Sequence, residues 1–403
     1  MKCRFCSHEL IHPLIDLVNA PPSNSYLTVE QLNEPEIFYP LKVLVCEKCF
    51  LVQVDEYQKS DKIFDANYAY FSSISSSWVA HAKSYVEMIT QKQKLTAYSH
   101  VIEIASNDGY LLQFFKSKEI PCLGIEPTKS TADVARSKGI DIIEDFFGEE
   151  LAKTLRKADL ILGNNVLAHV PKINDFVKGL KVALKPDGII TMEFPHLLNL
   201  IEKSQFDTIY HEHFSYLSLG ATITIFKAHG LKIYDVEELP THGGSLRIYA
   251  THNENDTQIS LHVKTLLEKE TSAHLDSLGG YTGFQEKANN IKYDFLNFLL
   301  QAKAHNQKVV GYGAAAKGNT LLNYCGIKND LIDFVADKAP LKVGKYLPSS
   351  HIPIVEENHI KALKPNFVVI FPWNIKEEII EQLSYIKEWE GQFVVAVPAL
   401  EIL

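Results

Sequence analysis

Twice in this chain an apolar strand runs into a loop of small residues and then into a helix start, at His100-Val-Ile-Glu-Ile-Ala-Ser-Asn-Asp-Gly109 and at Lys308-Val-Val-Gly-Tyr-Gly-Ala-Ala-Ala-Lys317. A strand, turn and helix of this kind open a doubly wound parallel sheet, in which ligands bind beyond the carboxyl ends of the strands. Two openings so far apart call for two separate α/β sheets. The length of 403 residues allows this, since about 100–200 residues make a domain, and two or three domains are expected. Hydrophobic residues make up 46% and charged residues 22%, which excludes wholesale disorder. The net charge of −9 argues against nucleic acid as a partner, because such binders carry a basic face. No apolar run is long enough to span a membrane, and MKCRFCSHEL lacks the apolar core of a signal peptide, so a cytoplasmic protein without a membrane partner is expected.

The first loop does not carry the G-x-G-x-x-G pattern. It holds Glu103 and Asp108, with Ala105 and Asn107 between them. Acidic groups there repel a dinucleotide diphosphate but suit a cationic sulfonium with an ammonium group. S-adenosylmethionine is therefore expected in preference to NAD. The next strand ends in Glu126, whose carboxylate suits a ribose diol. Asp145 and Phe146 follow the third strand, and Asn164, Asn165 and His169 follow the fourth. All of these are expected around the cofactor.

Cys3, Cys6, Cys46 and Cys49 form two C-x2-C pairs. Each pair chelates from a tight turn, and four thiolates complete a closed tetrahedral zinc site with no position left for catalysis. The proline-rich spacer between the pairs reads as loops and short strands. Cys122 and Cys325 stand alone among apolar neighbours.

Downstream, Tyr210-His-Glu-His213 packs four titratable groups together. A neutral imidazole accepts a proton near pH 7, a tyrosine hydroxyl donates to an oxyanion, and a glutamate orients the imidazole. If the segment is extended, His211 and His213 share one face. Thr241-His-Gly-Gly-Ser-Leu-Arg247 joins a glycine pair to one of only four arginines and reads as an anion-binding loop built from His242, Gly244, Ser245 and Arg247. The second nucleotide-type opening is G-x-G-x-x-A, with Asp337 about 20 residues on. The N–H groups of its helix start can hold phosphates, with Lys317 adding positive charge.

The order of these motifs resembles the nucleotide-sugar C-methyltransferases, which carry the two CxxC pairs, EIASNDG, YHEHFSY, THGGSLR and GYGAAAKGNTLLN together. The resemblance covers essentially the whole chain. It implies an α/β protein with a small zinc-binding N-terminal module (1–66), a central S-adenosylmethionine-dependent methyltransferase Rossmann-like domain (67–250) and a C-terminal Rossmann-like domain with leading helices (251–403). It implies methylation at C-3 of a nucleotide-linked 4-keto-6-deoxyhexose, carried by TDP or GDP, through an enolate formed by a histidine base. The base maps onto His213, with Tyr210 and Glu212 beside it. Tyr68 and Tyr70 map near the donor methyl and the sugar. His211, Tyr312, Ala314, Lys317, Asn319, Asp337, Lys338 and Asn374 join the loop at 242–247 as substrate-binding residues. A monomer or homodimer is expected. The rival readings are an NAD-dependent oxidoreductase, a sugar-nucleotide O-methyltransferase and a non-catalytic sugar-nucleotide binder.

Overall fold

The computed structural model describes residues 1–59 and 71–403. Tyr68 and Tyr70 lie outside the described residues. The chain divides into two compact units: Met1–Ile11, Cys46–Leu197 and Phe214–Gly280 in the first, and His12–Val45, Leu198–His213 and Tyr281–Leu403 in the second. Neither unit is continuous in sequence, and the reason is local. The cysteine pairs must converge on one point. The segment between them folds elsewhere: its strands His12–Ala20 and Tyr39–Val45 pair antiparallel. That segment is also stitched to the C-terminal fold, because the Asn323 side chain donates to the Asn19 carbonyl at 2.9 Å and the Tyr26 hydroxyl to the Ala314 carbonyl at 2.7 Å.

The sheet of the first unit contains β1 (Val101–Ile104), β2 (Cys122–Ile125), β3 (Asp141–Ile143), β4 (Ala158–Asn164), β5 (Leu184–Pro195), β6 (Leu231–Leu239) and β7 (Ser245–His252). Among the described residues its order is β3-β2-β1-β4-β5-β7-β6. Strands β1 to β5 run parallel, whereas β7 is antiparallel to both β5 and β6. All four residues of β1 are buried, which is the continuous apolar reading of a strand covered on both faces. Helix α1 (Ser76–Lys92) covers one face. It starts where the Ser75 hydroxyl accepts from the Trp78 N–H, and it buries Trp78, Ala82, Tyr85, Val86 and Ile89 at spacings of three and four. These pack with Val101, Leu160, Leu162 and Ile189. Fully burying one such side chain is worth about 1.5–3 kcal/mol, so this face supplies much of the unit's stability.

In the second unit, β8 (Val309–Tyr312), β9 (Val335–Ala336), β10 (Ile354–Val355), β11 (Phe367–Ile370), β12 (Gln392–Val395) and β13 (Glu401–Ile402) form a sheet of order β10-β9-β8-β11-β12-β13. All neighbours are parallel except β13 on β12. Helix α2 (Ala316–Cys325) follows the glycine-rich turn. Gly313 sits there at φ +85°, and a Cβ would lie 2.4 Å from the Pro372 ring, so only glycine fits without a shift.

The four cysteines of the N-terminal module converge within the first unit. Their Sγ atoms all lie within 4.8 Å of one another. Cys3 and Cys49 are 3.6 Å apart and Cys6 and Cys46 3.5 Å. Four thiolates about 2.3 Å from a tetrahedral zinc have edges of about 3.8 Å, whereas a disulfide requires about 2.05 Å. The set therefore fits zinc and not disulfides. Gln53 ties the cluster down, its amide donating to Cys3 Sγ at 3.3 Å and its carbonyl accepting from the Arg4 N–H at 2.9 Å. Among the described residues, no helix is long and apolar enough to cross a membrane. We expect elemental analysis to find one zinc per chain. Cys46→Ser should lose the metal and lower the melting temperature by at least about 5 °C; a metal-free variant that melts with the wild type would contradict a structural role.

Candidate functional site

In the first unit the loop after β1 turns sharply, with Ala105 at φ +55°, Asn107 at +50° and Gly109 at +73°. A Cβ on Gly109 would meet Ile140 at 2.4 Å, so this turn depends on glycine. The bend gathers three buried carboxylates. Glu126 accepts from the Asn107 N–H and the Thr128 N–H, both at 2.9 Å. Asp108 accepts from the Ser73 hydroxyl and has Lys138 Nζ at 3.7 Å, yet its buried Oδ1 has no hydrogen bond among the described residues. Glu103 is fully buried, and neither of its oxygens has a hydrogen bond among the described residues. Burial first, and then the charges of Asp108 and Glu126, push the Glu103 carboxyl well above its ordinary range. A cation brought to this loop relieves all three costs. The residues present therefore fit the sulfonium and ammonium charges of S-adenosylmethionine. Asn164 donates to the Tyr110 hydroxyl at 3.3 Å, and Asn165 to His242 Nε2 at 2.8 Å. His169 ends the short turn Leu167–His169 after β4. Asp145 and Phe146 are exposed on the loop after β3, where Asp145 accepts from the Phe146 N–H.

Arg247 behaves differently from the expected anion clamp. It is buried, donates to Glu193 at 2.7 Å and to Glu237 at 3.2 Å, and lies 4.6 Å above the Tyr85 ring. Its charge is spent on carboxylates of the neighbouring strands. Glu193 also accepts from His81 at 2.9 Å and from the Thr241 hydroxyl at 2.9 Å. Burial raises Glu193, but His81 and Arg247 outweigh it and hold the carboxyl below its usual range. Trp78 stacks on His81 with ring centroids 5.0 Å apart and meets His242 edge-on at 5.0 Å. Gly244 has φ +122° and leads into β7 at Ser245, whose hydroxyl donates to the Thr241 carbonyl. The sequence reading missed Trp78, His81 and Glu193, because a lone His on a helix and a Glu at a strand end carry no motif.

The Tyr210–His213 run lies in the second unit and is a turn, not an extended strand: the His213 N–H donates to the Tyr210 carbonyl at 3.0 Å. The turn stacks the Tyr210 and His213 rings with centroids 4.0 Å apart. His213 Nδ1 is 2.9 Å from the Thr208 carbonyl. A carbonyl only accepts, so Nδ1 carries the proton, and Nε2 is the basic nitrogen of the neutral ring. His211 points elsewhere: its Nε2 donates to the Pro40 carbonyl at 3.1 Å, and its ring meets Tyr39 edge-on. Among the described residues the four cysteines form the one group of three or more side chains placed to hold a metal ion. Glu212 is buried and accepts from the Asn24 amide at 2.7 Å, and burial pushes its carboxyl up to about 7.

The glycine-rich turn holds the remaining residues. Asp337 accepts from the Ala314 N–H and the Ala339 N–H, each at 2.7 Å. Lys317 donates to Asn374 at 2.7 Å and lies 4.3 Å over the Trp373 ring. Burial pulls Lys317 down to about 8, against the opposing charge of Asp207. Asn319 donates to the Ser23 carbonyl at 2.5 Å. Tyr312 receives the Gln382 amide and lies 3.3 Å from Glu357, while Lys338 donates to the Gln382 carbonyl.

This fold, with a carboxylate-lined loop after β1 and a closed thiolate cluster, defines a methyltransferase carrying a zinc module. The comparisons with known proteins agree. The family described as "Methyltransferase domain" matches residues 81–236, "C-methyltransferase C-terminal domain" matches 240–398, and "Putative zinc binding domain" matches 3–64. The C-methyltransferase NovU of Streptomyces niveus is 32% identical over 406 residues, covering 100% of this chain and 96% of that protein. The ubiquinone biosynthesis O-methyltransferase of Actinobacillus pleuropneumoniae serotype 7 is 29% identical over 115 residues, 26% of this chain and 49% of that one. Among solved structures, the PH0226 protein of Pyrococcus horikoshii OT3 aligns at 13% identity with a TM-score of 0.38, over 49% of this chain and 99% of that one. The chain belongs to the C-methyltransferase family with an N-terminal zinc-binding module. Its cofactors are S-adenosylmethionine and a structural zinc ion. The oxidoreductase and O-methyltransferase readings fall away.

Two outcomes follow from the buried carboxyls. If the S-adenosylmethionine cation is received by Glu103, whose carboxyl burial pushes well above its ordinary range, uptake should release a proton and tighten as pH rises. Calorimetry in two buffers of different ionisation enthalpy should show this, and Glu103→Gln should abolish the buffer dependence. For Glu212, the folded carboxyl titrates near 7 against a reference of 4.5. The ionised form is the one disfavoured by folding, so stability is lost as pH rises from about 4.5 to 7. Relative to Glu212→Gln, the wild type should lose on the order of 3 kcal/mol between pH 5 and pH 8. Melting curves that differ equally at both pH values would show that Glu212 does not titrate there.

Proposed function

We propose that this C-methyltransferase acts at C-3 of a nucleotide-linked 4-keto-6-deoxyhexose, with His213 as the base that forms the enolate. A saturated C–H is not a nucleophile. A ketone on the adjacent carbon makes that proton acidic, and the protein must then supply a base and a donor for the developing oxyanion. The observation that carries this reading is the Thr208 carbonyl on His213 Nδ1, which leaves Nε2 as the nitrogen with the lone pair. Tyr210, stacked on that imidazole, offers its hydroxyl to the enolate oxygen. Glu212 anchors the turn through Asn24. Bound S-adenosylmethionine supplies an electrophilic methyl group, and Glu103, Asp108 and Glu126 with the loop residues Ala105 and Asn107 would hold it. Asn164, Asn165, His169, Asp145 and Phe146 complete that assignment.

For the sugar nucleotide, the start of α2 offers backbone N–H groups, and the Lys317 side chain in its first turn donates to Asn374. Tyr312, Ala314, Asn319, Asp337 and Lys338 belong to the same end of that sheet. His242, Gly244 and Ser245 are assigned to the sugar as well. Arg247 and His211 enter this proposal as supports, through Glu193 and through the Pro40 carbonyl.

Deuterium exchange at C-3 of a TDP-linked 4-keto-6-deoxyhexose, measured by mass in the absence of methyl donor, tests the chemistry directly. Wild-type protein should wash the label out, and His213→Ala should slow this by about 10²–10⁴-fold. Washout that survives His213→Ala, or a product methylated on oxygen, would sink the scheme.

A further inference from the structure

We propose that Trp373 and Asp207 are positioning residues that fix the tautomer and direction of His213; this rests on reading His213 as the base. The path is short. Asp207 lies in the turn Phe206–Thr208. The carbonyl of the next residue, Thr208, holds His213 Nδ1 at 2.9 Å. That carbonyl points correctly only while the turn keeps its orientation. The Trp373 indole N–H reaches across from the loop after β11 and donates to Asp207 Oδ2 at 2.6 Å. On the far side of the same turn, the Thr320 hydroxyl of α2 donates to the Ile209 carbonyl at 2.9 Å. The Thr208 hydroxyl closes the turn internally on the Gln205 carbonyl at 2.7 Å. The segment bearing the base is thus pinned to the loop after β11 and to α2.

Asp207 is buried, and its second oxygen, Oδ1, has no hydrogen bond among the described residues. A backbone carbonyl would accept an indole N–H without the cost of burying a carboxylate. Asp207 Oδ2 serves as the acceptor for the indole N–H, and the Lys317 ammonium lies on the face of the same indole, 4.3 Å from its centroid. Trp373 therefore joins the lysine of α2 at its face to the carboxylate of the base-bearing turn at its edge.

The test is Trp373→Phe, which keeps a ring and removes the donor, alongside Asp207→Asn, which keeps an acceptor oxygen for the indole. The first readout needs no substrate: ¹⁵N-histidine NMR of the full chain, with the His213 resonances assigned by a His213→Gln difference. We expect a single Nδ1–H tautomer in the wild type and in Asp207→Asn, and a mixture of tautomers in Trp373→Phe. The second readout is washout from a TDP-linked 4-keto-6-deoxyhexose. Trp373→Phe should lower its limiting rate about tenfold with KM changed less than threefold, and Asp207→Asn should stay within threefold of wild type. An unchanged tautomer in Trp373→Phe overturns the proposal, as does a change confined to KM. A tautomer that shifts while washout does not would sustain the positioning role and instead refute His213 as the base. Should Trp373→Phe fail to fold, Asp207→Ala should show the same mixture of tautomers and the same fall in limiting rate, and a single Nδ1–H tautomer there overturns the proposal equally.

Discussion

A carboxylate buried without a counter-charge is among the costliest groups a protein can carry, and this chain carries such groups in each of its units. Glu103 sits beneath the loop after β1 with no hydrogen bond to either oxygen among the described residues. Glu212 and Asp207 flank the imidazole-bearing turn, raised by burial to about 7 and about 6. Folding alone would favour amides or apolar side chains at all three. Their placement makes sense when stability is given up for a charge that matters later. At Glu103 a cationic ligand would supply the missing charge. At Asp207 the partial partner is Lys317, held back behind an indole ring.

Much of this organisation is legible in the residues themselves. The strand-to-helix openings at 100–112 and 308–320 announced two parallel sheets, because continuous apolar strands and small-residue turns are local requirements. The zinc cluster was readable for the same reason: each CxxC pair makes half a tetrahedron on its own. What the linear pattern hid was long-range sorting. The residues between the cysteine pairs fold with the C-terminal sheet, and so does 198–213, since a strand pairing or a side chain reaching a distant carbonyl leaves no periodicity. The YHEH run misled for a related reason. Alternation favours an extended reading, but the hydrogen bond from His213 N–H to the Tyr210 carbonyl folds it into a turn that brings the two rings together.

Arg247 shows how scarcity can mislead. A rare arginine beside two glycines looks like an anion site, and at a loop tip that would be sound. Here the residue falls two positions into β7, opposite Glu193 in β5 and Glu237 in β6. Cross-strand neighbours of opposite charge pair when buried, because each would otherwise be unsatisfied. The guanidinium fork then leaves the Glu193 carboxylate fixed and ionised, and that carboxylate fixes His81 against Trp78.

The protein thus partners two histidines in opposite ways. His81 faces the Glu193 carboxylate at 2.9 Å and stacks on Trp78, which holds the ring in one orientation. His213 Nδ1 faces the Thr208 carbonyl, which settles which nitrogen of the neutral ring holds the proton. A base that must accept a proton from carbon and later give it up is better served by the second arrangement, since a buried carboxylate on Nδ1 would trap the imidazolium once formed. Glu212 in the same turn accepts from the Asn24 amide at 2.7 Å. The orientation of one carbonyl then carries the demand for precision, and the contacts from Trp373 and Thr320 converge on the turn that presents it.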